Sequence, residues 1–145
     1  MEKKNVFVVD NDPFEAKKIR LHLEALGFAV TYFASGSEMM NHLAEGPALI
    51  ILAHDLGEQN NGLDYLKMVK EIDRAIPVIF LVPQDNLTMA VHALRLGAFF
   101  YLEKLNASFD ALKNILYDLD IEKKRKSWTA LRNFRQGVFS LYGFY

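Results

Sequence analysis

The stretch VFVVDNDP, residues 6–13, sets the pattern that the rest of the chain repeats. Four apolar residues, Val6 to Val9, are typical of a short buried strand, and polar side chains follow them directly. Asp12 is placed to cap a helix that Pro13 opens, because Asp accepts hydrogen bonds from the unpaired N–H groups of a first helical turn. The stretch therefore predicts a strand that passes through a polar turn into a helix.

Outward from this stretch, short apolar runs alternate with segments of helical period, the pattern of a parallel sheet covered on both faces. The predicted strands are residues 6–9, 29–33, 48–52, 78–82 and 99–102. Each is followed by a predicted helix, and the boundary signals are the caps Asp12, Ser37 and Ser108 and the stops Gly27, Gly46, Pro77 and Gly97. We expect a doubly wound (βα)5 fold of the α/β class, with any chemistry at the carboxyl ends of the strands.

Composition narrows the class of protein. The 145 residues give room for one domain and a tail, and a net charge of −1 gives no general attraction to nucleic acid or membranes. The chain has no cysteine, which excludes disulfides and thiolate metal sites. Its first residues show neither a secretory signal nor a spanning segment, so a cytoplasmic location is expected.

Four segments in a fixed order make the chain resemble the receiver domain of two-component response regulators, of which the chemotaxis protein CheY is a single-domain form. They are VVDNDP, PALIILAHDL followed by Gly62 and Leu63, PVIFLV, and LGAFFYLEK. The resemblance covers about residues 5–120. It implies a flavodoxin-like, CheY-like sheet of strand order 2-1-3-4-5 and a role in bacterial signal transduction.

In that family an acidic pair holds magnesium, an aspartate accepts a phosphoryl group, and a hydroxyl and a lysine bind it. Asp10 and Lys104 match this pattern, whereas four positions depart from it: Asn11, Ala53, Val82 and Leu105. Ala53 stands where the acceptor belongs, and alanine has no nucleophile. The resemblance thus implies a degenerate receiver without enzymatic activity, metal or cofactor. Natural loss explains so many departures better than one engineered replacement does.

Two other carboxylates are surrogate acceptors in an alternative hypothesis, a phosphorylatable receiver that uses Asp55 or Asp12 with magnesium. Helix capping is the simpler role for Asp12, and the spacing from Pro47 favours Ala53 over Asp55 as the acceptor position. His54 has no second histidine or cysteine at ligand spacing, so it is expected to be a surface residue.

A flavodoxin-like cofactor enzyme is a third hypothesis. It would need a phosphate loop rich in Ser, Thr and Gly after the first strand, where this chain has the acidic run from Asp10 to Asp12. Without metal or phosphate between them, Asp10 and Lys104 are expected to form a direct ion pair or to keep a water-filled remnant of the pocket.

Aromatic residues near the end of the chain suggest a binding surface. Phe100 is either core or an exposed anchor, beside Tyr101, on the face of helix four, strand five and helix five that receivers commonly use for partners and dimers. After the receiver-like domain, residues 1–122, comes a basic and aromatic extension, residues 123–145. Its apolar residues at helical spacing, Trp128, Leu131 and Phe134, predict an amphipathic helix docked on its own domain or on a partner. We expect a protein partner or a homodimer, and neither nucleic acid nor membrane.

Overall fold

The computed structural model describes residues 3–104 and 109–120 of the chain. The chain divides into two compact units, Met1–Leu112 and Lys113–Tyr145. The cap Ser108, the family position Leu105 and the whole 123–145 extension, with Trp128, Leu131 and Phe134, lie outside the described residues. The predicted domain boundary at residue 122 therefore stays a prediction.

Five parallel strands form one sheet in the order β2-β1-β3-β4-β5. The strands are β1 (Asn5–Val9), β2 (Ala29–Phe33), β3 (Leu49–Ala53), β4 (Val78–Val82) and β5 (Phe100–Glu103). The predicted fold and strand order are confirmed. Two strands lie one residue later than predicted, β3 and β5, and the reason for β5 is that the N–H of Phe99 bonds Val78 O while ladder pairing begins at Phe100.

The helices that follow the strands are α1 (Pro13–Ala25), α2 (Gly36–Asn41), α3 (Gly62–Ile72) and α4 (Leu87–Arg95), with a 3-10 turn at Leu43–Glu45. Residues 109–120 are also helical. None of the described helices is long and apolar enough to cross a membrane.

The predicted cap of α1 is confirmed, whereas that of α2 is wrong. Asp12 Oδ1 accepts hydrogen bonds from the N–H groups of Phe14 and Glu15. The cap of α2 is Ser35 and not Ser37, because Ser35 has the extended backbone of a cap and its Oγ accepts the N–H of Glu38 at 3.2 Å.

The three inner strands form the centre of the core. Every residue of β3 and β4 is buried, and only the first residue of β1 is partly exposed. This continuous burial explains why these strands read as unbroken apolar runs. Register places Val9 beside Leu52, Ala53 beside Leu81, and Val82 beside Glu103, so the strands end together at one edge of the sheet.

Candidate functional site

At the carboxyl edge of the sheet, Asp10 follows β1 and Lys104 follows β5. The ammonium Nζ of Lys104 donates to Asp10 Oδ1 at 2.9 Å, and the N–H of Asp12 donates to the same oxygen at 2.9 Å. The structure thus brings together the two residues that match the family pattern, and it shows the direct ion pair.

Asp10 carries the one buried charge among the described residues, with 0% of its surface exposed. Its second oxygen, Oδ2, is buried and has no hydrogen-bond partner in the protein. Burial raises the pKa of Asp10, and the Asp12 N–H and Lys104 only partly oppose this effect. Hydrogen bonds therefore fix the position of the Asp10 carboxylate, but Lys104 and the Asp12 N–H offset the cost of burying its negative charge only in part.

Ala53 and Val82 end β3 and β4, and each is only 1% exposed. Their side chains are a methyl and an isopropyl group, at the two positions where the resemblance predicts that the acceptor carboxylate and the hydroxyl are missing. Beside them, His54 is half-buried, with its ring 6.4 Å from that of Phe80. His54 is therefore not the exposed surface residue that was expected, because its ring packs edge-on against Phe80, an aromatic residue of the core.

The magnesium ion that a receiver fold implies does not fit these side chains. Magnesium prefers several oxygen ligands in octahedral geometry, usually with carboxylates among them. Within residues 3–104 and 109–120, no group of three His, Cys, Asp or Glu side chains is arranged to hold a metal. Asp10 Oδ2 is an orphaned oxygen, but Ala53 supplies no second carboxylate and Asn11 supplies at most an amide oxygen.

The two surrogate carboxylates are used in local turns. Asp12 caps α1, and Asp55 Oδ1 accepts the N–H of Gly57 at 3.1 Å on the exposed side of its loop. Gly57 has a φ of +64°, and a Cβ there would lie 3.1 Å from the amide nitrogen of Asn11. The loop between β3 and α3 thus lies against Asn11, which the resemblance predicts to stand at the second acidic position.

Comparison with known protein families identifies the family to which a chain with this fold belongs. The response regulator receiver domain family matches residues 6–117. The chain belongs to this family. The match includes the predicted pocket positions discussed above, which are Asp10, Asn11, Ala53, Val82 and Lys104.

Bacterial transcriptional regulators are among the receiver's relatives. It is 31% identical over 104 residues to the uncharacterized transcriptional regulatory protein YkoG of Bacillus subtilis, covering 72% of this chain and 46% of YkoG. It is 32% identical over 104 residues to the DNA-binding transcriptional regulator NtrC of Escherichia coli K12, covering 72% of this chain and 22% of NtrC. The chain thus spans less than half the length of these relatives.

A solved structure of similar size shows the same fold. The response regulator receiver domain protein from Clostridium thermocellum superposes with a TM-score of 0.75 at 25% identity, covering 83% of this chain and 97% of that one.

Glu58 holds the β3–α3 loop of this receiver in place, a role that sequence reasoning missed. Its Oε1 accepts the N–H of Gly36 at 2.6 Å, and its Oε2 accepts the hydroxyl of Tyr65 at 2.7 Å. Burial acts to raise the pKa of Glu58, but these donors outweigh it and lower the pKa. The clamp ties the loop to the start of α2 and to α3.

The α4–β5 face carries an exposed apolar stripe, formed by Leu87, Val91, Leu94 and Phe100. Phe100 is 42% exposed, so of the two roles left open for it the structure shows the exposed one. Its ring lies 4.9 Å from that of Tyr101, which is half-buried. The three residues on α4 lie four and three positions apart and so share one side of the helix.

Proposed function

We propose that this receiver acts in signal transduction by phosphorylation-independent protein–protein interaction, with the α4–β5 face as its output surface. The observation that carries the proposal is Ala53, a buried methyl group at the end of β3 where the family has its acceptor carboxylate. A receiver without an acceptor has no covalent switch, so its surface must signal in the state that the fold itself sets.

The electrostatics of the crevice support the same proposal. A transferred phosphoryl group needs cations to offset its charge, and Lys104, the lysine that the described residues place at this edge, is already paired with Asp10 at 2.9 Å. The Glu58 clamp further supports a fixed loop conformation, because its two carboxylate oxygens tie the loop to Gly36 and to Tyr65. The same features disfavour the alternative in which Asp55 or Asp12 accepts the phosphoryl group.

We expect acetyl phosphate with magnesium to leave the intact mass of the chain unchanged, since no carboxylate replaces the missing acceptor. Magnesium should bind more weakly than about 1 mM, and beryllofluoride should leave the amide NMR spectrum unchanged. The Ala53→Asp variant should also fail to become phosphorylated efficiently, because Val82 and Asn11 remain. Labelling that Asp55→Asn or Asp12→Asn removes would refute the proposal and establish the alternative.

The partner that best fits the α4–β5 face is a second copy of this chain. Asp85 and Glu103 line a cavity of about 310 Å³ beside Leu87, the first residue of α4. At the other end of this helix, His92 and Arg95 lie in the last turn of α4. Two copies related by a two-fold axis, with their α4 helices antiparallel, would cover both apolar stripes and place each basic end against an acidic end.

The Phe100→Glu variant should weaken self-association at least about tenfold, because it puts a charge into the proposed apolar contact. Sedimentation equilibrium across a concentration series measures the effect. Ile72→Glu is the matched control: Ile72 is 67% exposed at the end of α3, outside the stripe, so its replacement should leave the association constant unchanged. A wild-type chain that stays monomeric, or equal weakening by both variants, would exclude this face as the dimer contact.

A further inference from the structure

A second concave surface lies at the opposite edge of the sheet, where α3 and α4 end. It is a cavity of about 400 Å³, here called the α3–α4 cavity, whose lining includes Lys67, Lys70, Glu71, Arg74, Arg95 and Gly97. Helices of a parallel α/β fold run back from the carboxyl edge, so this cavity is separated from the Asp10 crevice by the length of the sheet. It belongs to neither the vestigial pocket nor the apolar stripe, and it shares with the proposed dimer contact only Arg95, at the basic end of α4.

Lys70 forms a fixed wall of the α3–α4 cavity. Its ammonium group donates to the carbonyl oxygens of Arg74, at 3.3 Å, and of Ile76. Its aliphatic stem crosses Gly97, where a Cβ atom would lie 3.3 Å from Lys70 Cγ. These contacts satisfy carbonyl groups that follow α3, which is the ordinary structural role of a lysine at a helix carboxyl end.

The other basic residues of the cavity have no such role. Lys67, Arg74 and Arg95 are exposed, and within the described part of the chain none of them lies within ion-pair distance of a carboxylate, including that of Glu71. Four basic side chains and one acidic side chain give the lining a formal charge of +3, in a chain whose net charge is −1. Like charges that converge on one concavity repel each other, and a bound anion would relieve that repulsion.

We propose that the α3–α4 cavity binds a small molecule that carries two linked phosphate groups. Guanidinium groups match phosphate oxygens with paired hydrogen bonds, and two arginines with a lysine suit a ligand of two to three negative charges. A volume of about 400 Å³ lies in the range of small-molecule sites. Through this site the receiver can respond to a diffusible ligand, although it has alanine at the acceptor position and so no covalent switch.

Calorimetry and amide NMR titration of the full chain with sodium pyrophosphate test this site at about 0.1 M salt, where weak surface attraction is screened. Pyrophosphate should saturate the site and bind about tenfold more tightly than inorganic phosphate, because a second phosphate adds charge. The largest shifts should fall on the amides of Lys67, Arg74 and Gly97. A parallel titration with ADP separates a free diphosphate from a nucleoside diphosphate as the preferred source.

The decisive variant is Arg74→Gln, which lies outside the α4–β5 face, so failure here is distinguishable from failure of the proposed dimer. It should weaken pyrophosphate binding at least about tenfold while the urea midpoint stays the same. Lys17→Gln is the matched control, because Lys17 is an exposed lysine on α1 and its replacement removes the same charge elsewhere. Absence of saturation at about 10 mM, or equal weakening by Lys17→Gln, would overturn the proposal.

Discussion

Replacing Gly62 with alanine should destabilise the receiver by about 3 kcal/mol or more, the cost of forcing an atom into filled space beside rigid backbone. A Cβ at this position would lie 2.1 Å from the carbonyl oxygen of Ala53 and 2.8 Å from the Cα of His54. The N–H of Gly62 also donates to His54 O at 2.8 Å, so the start of α3 cannot move away without losing the bond that closes the loop.

The sign of this effect is informative, because Gly62 is the first residue of α3 and helix propensity alone would favour alanine by about 1 kcal/mol. Urea melts of Gly62→Ala and Gly27→Ala provide the comparison. Gly27 has a φ of +92° but nothing within 4 Å of its Cβ position, so its replacement costs only backbone strain, about 1 kcal/mol. A stability gain in Gly62→Ala would contradict the close approach of loop and strand.

Removing the Lys104 ammonium should destabilise the receiver by about 1 to 3 kcal/mol at neutral pH, because Lys104→Ala leaves Asp10 buried and charged without its cation. The double variant Asp10→Asn with Lys104→Met should recover most of this loss, since it removes the uncompensated charge as well. A loss below a few tenths of a kcal/mol in urea melts would mean that the pair contributes nothing.

The effect of Lys104→Ala should depend on pH in a defined direction. The pKa of Asp10 in the folded state is raised above its ordinary value of 3.8. At a pH between 3.8 and this raised pKa, the folded state therefore holds a proton on Asp10 that the unfolded state has released. The protonation of Asp10 therefore stabilises the folded state fully below pH 3.8, and this stabilisation is lost as the pH rises through the raised pKa. Lys104→Ala should lose little stability in acid and more at neutral pH. A loss that is constant across this range would assign the effect to packing of the lysine stem.

Local pattern was sufficient to predict the architecture. Strands such as β4 consist of continuous apolar residues, and a helix cap such as Asp12 acts on the residues next to it, so both are visible in a short window of sequence. The two serines at the start of α2 show the limit of this reasoning, because Ser35 precedes the helix and Ser37 lies in its first turn. Ser35 and Ser37 have the same chemistry, and only the extended backbone of Ser35 decides which one caps the helix.

The sequence by itself determined that the chain is a doubly wound α/β domain and that alanine and valine stand at positions 53 and 82, where the resemblance places the acceptor and the hydroxyl, because these facts depend on local periodicity and on residue identity. Only the tertiary structure decided that Lys104 lies on Asp10, 94 positions away, that Glu58 holds Gly36 and Tyr65 together, and that Phe100 is exposed. Each of these contacts joins segments that meet only when the sheet and its helices pack. The physical reason is that burial and pairing are properties of the assembled core, and a single stretch of chain does not contain its distant neighbours.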